Sequence, residues 1–163
     1  MDAPITPLRI RLYHREQKNG IFSDIPNVLC INANNISIGR GYNCQLKLRD
    51  ARVSRCHAIL EPYLEKDRTF LQFCFKNLST KGKIRINGLR LRYLQQIPLT
   101  VTNRITFCGF QIEINLEPDI SLEDCQCAVT VSESPLFHEP EAEETDEQDM
   151  MHELEQTKAS RFR

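Results

Sequence analysis

The stretch Ile105-Thr106-Phe107-Cys108-Gly109-Phe110-Gln111-Ile112-Glu113-Ile114-Asn115-Leu116 decides the fold class. Its apolar residues recur every second position, first at Ile105 and Phe107 and then at Phe110, Ile112, Ile114 and Leu116. Gln111, Glu113 and Asn115 fill the positions between. A period of two places successive side chains on opposite faces of a strand, so these residues read as half-buried strands with one wet face.

The same period extends outward in both directions. Leu8, Ile10 and Leu12 alternate with Arg9 and Arg11, Ile36 and Ile38 with Asn35 and Ser37, and Leu46 and Leu48 with Gln45 and Lys47. Ile84 and Ile86 flank Arg85, Leu89 and Leu91 flank Arg90, and Val129 and Val131 end the series. Phe70 to Phe75 is nearly all apolar and reads as a central strand. Between the runs fall Asn19-Gly20, Gly41-Tyr42-Asn43, Lys66-Asp67, Lys81-Gly82 and Asn87-Gly88. These residue types tolerate the backbone angles of tight turns, and Asn87-Gly88 suits a two-residue hairpin. No stretch before residue 139 reads as an amphipathic helix. About ten or eleven short antiparallel strands at this spacing predict an all-β sandwich or barrel.

The 163 residues suffice for one domain and a tail. The reading is a short N-terminal segment over 1–7, a sandwich over 8–134 and a disordered acidic tail over 135–163. Nine acids and three bases lie from Glu139 onward, which leaves 18 Lys and Arg against 13 Asp and Glu in residues 1–138. A body of charge +5 with an acidic tail points to an anionic partner, or to a tail lying over a basic face. Weak helicity over 149–158 and phosphorylation at Ser134 or Thr145 are further expectations for this end. No apolar run approaches the length of a membrane span and no secretory leader is evident, so the expected location is the cytoplasm or nucleus. Seven cysteines without a C-x-x-C pair read as reduced, mostly buried thiols. Cys125 and Cys127, on one face of a strand, are the only close pair. Neither a metal nor any other cofactor is expected.

Three polar clusters stand at turns: Gly39-Arg40-Gly41, Arg52-Val53-Ser54-Arg55-Cys56-His57, and Asn77-Leu78-Ser79-Thr80-Lys81-Gly82. An Arg between glycines lets the backbone approach a ligand while the guanidinium fork reaches it. A Ser hydroxyl supplies one donor and a Lys a point charge. Together they suit an anion of phosphate size.

The order Gly39-Arg40, Ser54-x-x-His57, Asn77-x-Ser79 and Ile86-Asn87-Gly88 resembles the forkhead-associated (FHA) domain family, and the resemblance spans roughly Leu8 to Val131. It implies an eleven-stranded sandwich that binds phosphothreonine peptides through loops at one end. It also implies Arg40 and Ser54 as phosphate ligands, Arg55 as a neighbouring contact, and Thr80 and Lys81 as the loop that reads the peptide. Gly39, His57, Asn77, Asn87 and Gly88 become structural positions. The chain departs from the family pattern at Lys81, where Asn is usual before Gly, and at Lys83, where Thr is usual.

Within the family, Leu12-Tyr13-His14, Lys76-Asn77-Leu78-Ser79 and the acidic tail are similar to the TRAF-interacting proteins with an FHA domain. Leu60-Glu61-Pro62-Tyr63-Leu64-Glu65-Lys66 and Leu91-Arg92-Tyr93-Leu94 resemble their B-type branch. That resemblance implies an adaptor that associates with the A-type member, through a phosphothreonine-type pocket or a β-sandwich face such as the Leu89–Leu94 or Cys125–Val131 strands, and dampens TRAF-dependent NF-κB innate immune signalling. The A-type self-assembles through a phosphorylated N-terminal Thr and recruits TRAF ubiquitin ligases. Here Thr6 precedes Pro7, and neither Pro135 nor Pro140 begins a Pro-x-Glu motif. Such a chain would cap a growing oligomer, because a head-to-tail assembly stops at a member that cannot continue it. A phosphothreonine scaffold with other partners is the alternative reading.

Two other classes fare worse. His14, His57, His138 and His152 are scattered without a nucleophile or carboxylate pair in strand-to-loop context, which argues against an enzyme. A single-stranded nucleic-acid binder of OB type would need exposed stacking aromatics. Phe70, Phe73, Phe75, Phe107 and Phe110 lie in apolar strands and read as core.

Overall fold

The computed structural model describes residues 8–30, 35–64, 71–117 and 126–138. The expectations placed on residues 1–7, Lys66-Asp67, Phe70, Cys125 and the tail from Glu139 onward lie outside these residues, whereas 135–138, expected to be disordered, are among them. Among the described residues there are twelve strands: β1 (Leu8–Tyr13), β2 (Val28–Cys30), β3 (Ile36–Gly39), β4 (Leu46–Lys47), β5 (Ala58–Leu64), β6 (Leu71–Asn77), β7 (Ile84–Ile86), β8 (Leu89–Leu91), β9 (Gln96–Pro98), β10 (Thr102–Phe107), β11 (Phe110–Leu116) and β12 (Gln126–Val131). A single 3-10 turn over Gln17–Asn19 is the helical element among them. No helix of the described residues is long and apolar enough to cross a membrane.

The strands form two sheets, of order β2-β12-β1-β11-β10-β7-β8 and β4-β3-β5-β6-β9. The expected all-β sandwich is what folds. Most pairs are antiparallel, but β1 pairs with β12 and β3 with β4 in parallel. A parallel neighbour cannot be joined by a hairpin, and the long connections that make these pairs leave no local signature in sequence.

The inward residues are mostly those the alternation picks out; Leu89, at the edge strand, and Val131, at the end of β12, are the exceptions, 60% and 40% exposed. Leu8, Ile10, Leu12, Ile38, Leu60, Phe75, Ile84, Ile105, Phe110, Ile112 and Ile114 are fully buried and close one continuous core between the sheets. Each such aliphatic or aromatic side chain contributes about 1.5–3 kcal/mol by leaving water. The central-strand reading of Phe70–Phe75 corresponds to β6, which pairs with β5 on one side and β9 on the other. Leu71, Phe73, Phe75 and Asn77 face in.

Two hairpins turn on residue pairs with positive φ. Asn87 and Gly88 have φ of 51° and 80° between β7 and β8. Cys108 and Gly109 have φ of 51° and 80° between β10 and β11. Turns of this hand match the twist of the strands they join. The second pair was harder to read in sequence, because Cys108 carries a Cβ that disfavours the left-handed region.

The expected wet face of β11 is not wet. Gln111 and Glu113 are each only 7% exposed. Arg11 and Arg104 cover Glu113, with N···O distances of 3.2 and 3.7 Å. The chain after β12 folds back as a strap. Leu136 N–H donates to Gln111 Oε1 at 2.8 Å, Gln111 Nε2 donates to the Phe137 carbonyl at 3.1 Å, and the Arg104 guanidinium sits 5.6 Å from the centre of the Phe137 ring. Residues just beyond Ser134 thus pack on the outer face of the larger sheet.

Candidate functional site

The turn clusters around Arg40 and Ser54 meet because glycine lets two backbones touch. A Cβ at Gly39 would lie 2.4 Å from the Arg55 carbonyl oxygen, and one at Gly41 2.8 Å from the same atom. In that closeness Arg40 N–H donates to the Ser54 carbonyl and Gly41 N–H to the Arg55 carbonyl, both at 2.9 Å. Arg40 Nε donates to the Val53 carbonyl at 3.0 Å. The Arg40 side chain is exposed, and its two terminal nitrogens have no protein partner among the described residues. The guanidinium is therefore held at its stem with its fork open.

His57 ties Ser54 into the core. It is fully buried and stacks on Phe107 with centroids 4.4 Å apart. Its Nδ1 accepts from Ser54 N–H at 3.0 Å. Its backbone N–H donates to the Ile38 carbonyl and its carbonyl accepts from Leu78 N–H, so it links β3, the Ser54 turn and the loop after β6. With Nδ1 accepting, the proton of the neutral ring sits on Nε2, which is buried without a partner among the described residues.

The third loop joins through Ser79, which is 3% exposed. Ser79 Oγ donates to the Lys81 carbonyl and accepts from Lys81 N–H, both at 3.0 Å. Ser54 Oγ lies 2.5 Å from Ser79 Oγ, and with the Ser79 proton engaged the Ser54 hydroxyl is the donor of that pair. Rotation about one bond would turn the Ser54 proton outward to an anion. Asn77 braces this loop. Its Oδ1 accepts from Ser79 N–H at 2.8 Å and its Nδ2 donates to the Leu91 carbonyl at 3.0 Å.

Thr80 and Lys81 are exposed at the tip, and Arg55 is exposed on the facing loop. The structure thus brings Arg40, Ser54, Arg55, Thr80 and Lys81 to one rim. Gly39, His57 and Asn77 lie beneath it, while Asn87-Gly88 stands apart as a hairpin whose Asn87 Oδ1 accepts from Arg104 N–H. Ser79 joins them although only the Asn77-x-Ser79 spacing hinted at it.

Charge at the rim is unbalanced. The neighbouring Arg52 is spoken for: its Nη2 lies 2.6 Å from Asp50 Oδ2 and 3.8 Å from Glu16. The Arg52 hydrogen bond holds the Asp50 carboxyl below its ordinary pKa, against the opposing effect of burial. His14, buried beside this pair, accepts from Glu16 N–H at 3.0 Å and faces the Cys108 carbonyl at 3.3 Å. By contrast Arg40, Arg55 and Lys81 have no acidic partner among the described residues. Three cations without an acidic partner among the described residues, beside a rotatable hydroxyl, have the chemistry to suit an anion. The six described cysteines are free, but only Cys127 is buried, so the expectation of mostly buried thiols does not hold; partial burial and the neighbouring Cys44 push the Cys56 thiol up. No group of metal-ligating side chains is found among the described residues.

Burial pulls the His57 pKa from 6.5 down to about 4. Between those values the unfolded chain takes up a proton that the folded protein refuses. The stability is fully present above pH 6.5 and is lost as pH falls toward 4. This group alone is expected to remove about 2 kcal/mol between pH 7 and pH 5. Urea titrations at the two pH values should show that loss in the natural chain and a smaller one in His57→Phe. An equal loss in both would assign the pH dependence elsewhere.

Comparison with known proteins agrees with this architecture. The FHA domain family matches residues 36–108, which run from β3 to the turn after β10. The human TRAF-interacting protein with FHA domain-containing protein B is 46% identical over 147 residues, 90% of this chain and 91% of the relative. The mouse protein B is 44% identical over 90% of this chain and all of the relative. The mouse protein A is 30% identical over 85% of this chain and 77% of its own length. Among solved structures, the MEK1 FHA domain in complex with a phosphothreonine peptide of HOP1 superposes with a TM-score of 0.51 at 21% identity. That match covers 69% of this chain and 99% of the other, and it supports the fold. With 46% identity to human protein B over 90% of this chain and 91% of that relative, the chain belongs to the TRAF-interacting proteins with an FHA domain.

Proposed function

We propose that this chain is a non-catalytic adaptor whose rim of Arg40, Ser54, Arg55, Thr80 and Lys81 grips a phosphothreonine-type side chain. The partner is the A-type TRAF-interacting FHA protein, in a heterodimer or hetero-oligomer. Occupation of that partner limits TRAF-dependent NF-κB signalling in the cytoplasm. The observation that carries the reading is the union of the Arg40, Ser54 and Lys81 loops into one cluster of uncompensated cations, with a hydroxyl among them. A phosphate dianion is the ligand whose charge and acceptor count match such a cluster. The relatives named as TRAF-interacting proteins supply the partner class. No cofactor enters this function.

The test is a pull-down with the A-type protein, phosphorylated or treated with phosphatase. Retention of the phosphorylated form alone is the expected result. Equal retention of both would place the contact on another face of the sandwich and remove the pocket from the interaction.

A further inference from the structure

The seam beneath Arg40 brings two thiols together. Cys44 closes the turn that follows Arg40, and its N–H donates to the Gly41 carbonyl at 3.0 Å. Its sulfur donates to the Arg55 carbonyl at 3.0 Å, the oxygen that also accepts from Gly41 N–H at 2.9 Å. That carbonyl is bonded to the backbone nitrogen of Cys56. The contact therefore carries the Cys44 sulfur to the side of Cys56, where the two thiols interact directly. Cys44 is half-buried and Cys56 is exposed, so small solutes can reach the pair. The Cys74 and Cys108 thiols have Glu61 and Asp50 as charged neighbours instead. Nothing in the spacing of Cys44 and Cys56 in sequence signals this meeting. It follows from the missing Cβ at Gly39 and Gly41, which lets the Arg55 backbone close on the turn.

Two thiols in contact at an exposed seam are the reduced half of a disulfide. Joining them requires the sulfurs to approach to about 2.05 Å. Cys44 gives up its bond to the Arg55 carbonyl in doing so, and that carbonyl keeps the Gly41 N–H. Burial and the adjacent Cys44 push the Cys56 thiol up and hold its proton, which assigns the first attack to Cys44 and the second to Cys56.

We propose that Cys44 and Cys56 are a reversible redox site, at which a hydroperoxide converts the thiol pair to a disulfide that clamps the Arg40 turn to the Ser54–Arg55 segment. In the first step the Cys44 thiolate attacks a peroxide oxygen. An S–O bond forms, the O–O bond breaks, and the departing hydroxide takes up a proton as water, leaving Cys44 as a sulfenic acid. In the second step the Cys56 sulfur attacks the Cys44 sulfur. The S–S bond forms, the S–O bond breaks, and the hydroxyl leaves with the Cys56 proton as a second water. The two thiols lose two electrons to the peroxide, and a dithiol reductant returns them. The chemistry belongs to the sulfur pair and does not depend on what the rim binds.

The full chain, reduced and then exposed to one equivalent of hydrogen peroxide, is alkylated and digested with trypsin. Cleavage after Arg40 and Lys47, and after Arg55 and Lys66, places the two cysteines on separate peptides. Mass spectrometry should find peptides 41–47 and 56–66 joined, and separate again after a dithiol reductant. The oxidised protein should melt about 5 °C above the reduced one, because the link restrains the unfolded chain. Peroxide should not raise the melting temperature of Cys44→Ser or Cys56→Ser. In Cys56→Ser the Cys44 sulfenic acid has no second thiol to meet, so dimedone should label Cys44 about tenfold more than in the natural chain. Three results would overturn the proposal: Cys44 and Cys56 joined to other cysteines in preference to each other, equal dimedone labelling of Cys44 in the natural chain and Cys56→Ser, or a mapped link that leaves the melting temperature unchanged.

Discussion

Arg40→Ala is expected to weaken binding of a phosphothreonine peptide about a hundredfold or more while the fold survives. A hydrogen bond to a charged group contributes about 1.5–3 kcal/mol, and a guanidinium fork makes two of them to a phosphate. Arg40 is also held at its stem by the Val53 carbonyl, so little side-chain freedom remains to be lost on binding. Loss of the exposed side chain itself should shift stability by about 0.5–1 kcal/mol through the lost Nε bond. Fluorescence polarisation with a degenerate phosphothreonine peptide library and its unphosphorylated counterpart gives the comparison. Ser54→Ala, which removes one hydroxyl, should cost about tenfold. If the natural chain and Arg40→Ala bind phosphorylated and unphosphorylated libraries alike, the rim is not a phosphate site.

The largest stability effect is expected at Gly39. Its Cβ position is occupied by backbone: the Arg55 carbonyl oxygen at 2.4 Å, the Arg55 carbonyl carbon at 2.9 Å and the Ser54 carbonyl oxygen at 2.9 Å. No side chain can swing away, so Gly39→Ala forces β3 and the Ser54–Arg55 backbone apart. The bonds from Arg40 N–H to Ser54, from Gly41 N–H to Arg55 and from His57 N–H to Ile38 span that seam. We expect a loss of about 2–4 kcal/mol and a melting temperature lower by about 10 °C. Gly88→Ala is the contrasting variant. The space there is open and only the positive φ of 80° opposes a side chain, so the cost should be about 1 kcal/mol. Equal melting temperatures for Gly39→Ala and the natural chain would remove close backbone approach as the reason for glycine at this position.

These two predictions differ in how readily sequence exposes them. An Arg between two glycines at a turn already marks Arg40 as a candidate ligand. Nothing near Gly39 in sequence reveals that Arg55, sixteen positions on, fills the space of its missing side chain. Ser79 is similar: its hydroxyl links Ser54 and Lys81 only because two distant loops converge. The outer face of β11 misled most. Gln111 and Glu113 alternate like solvent-facing residues. They are buried because Arg11, Arg104 and the strap at Leu136–Phe137 come from other parts of the chain.

The sequence by itself determined the class of fold, most of the inward-facing residues and the turn pairs such as Asn87-Gly88. All of these follow from local rules: side chains alternate along a strand, and certain residue types accept certain backbone angles. Tertiary structure alone decided the parallel pairing of β1 with β12, the seam at Gly39, the brace from His57 to Ser54, and the strap over Gln111. Each joins segments far apart in the chain, and such contacts depend on shape and on the balance of charge between surfaces, which no window of sequence contains.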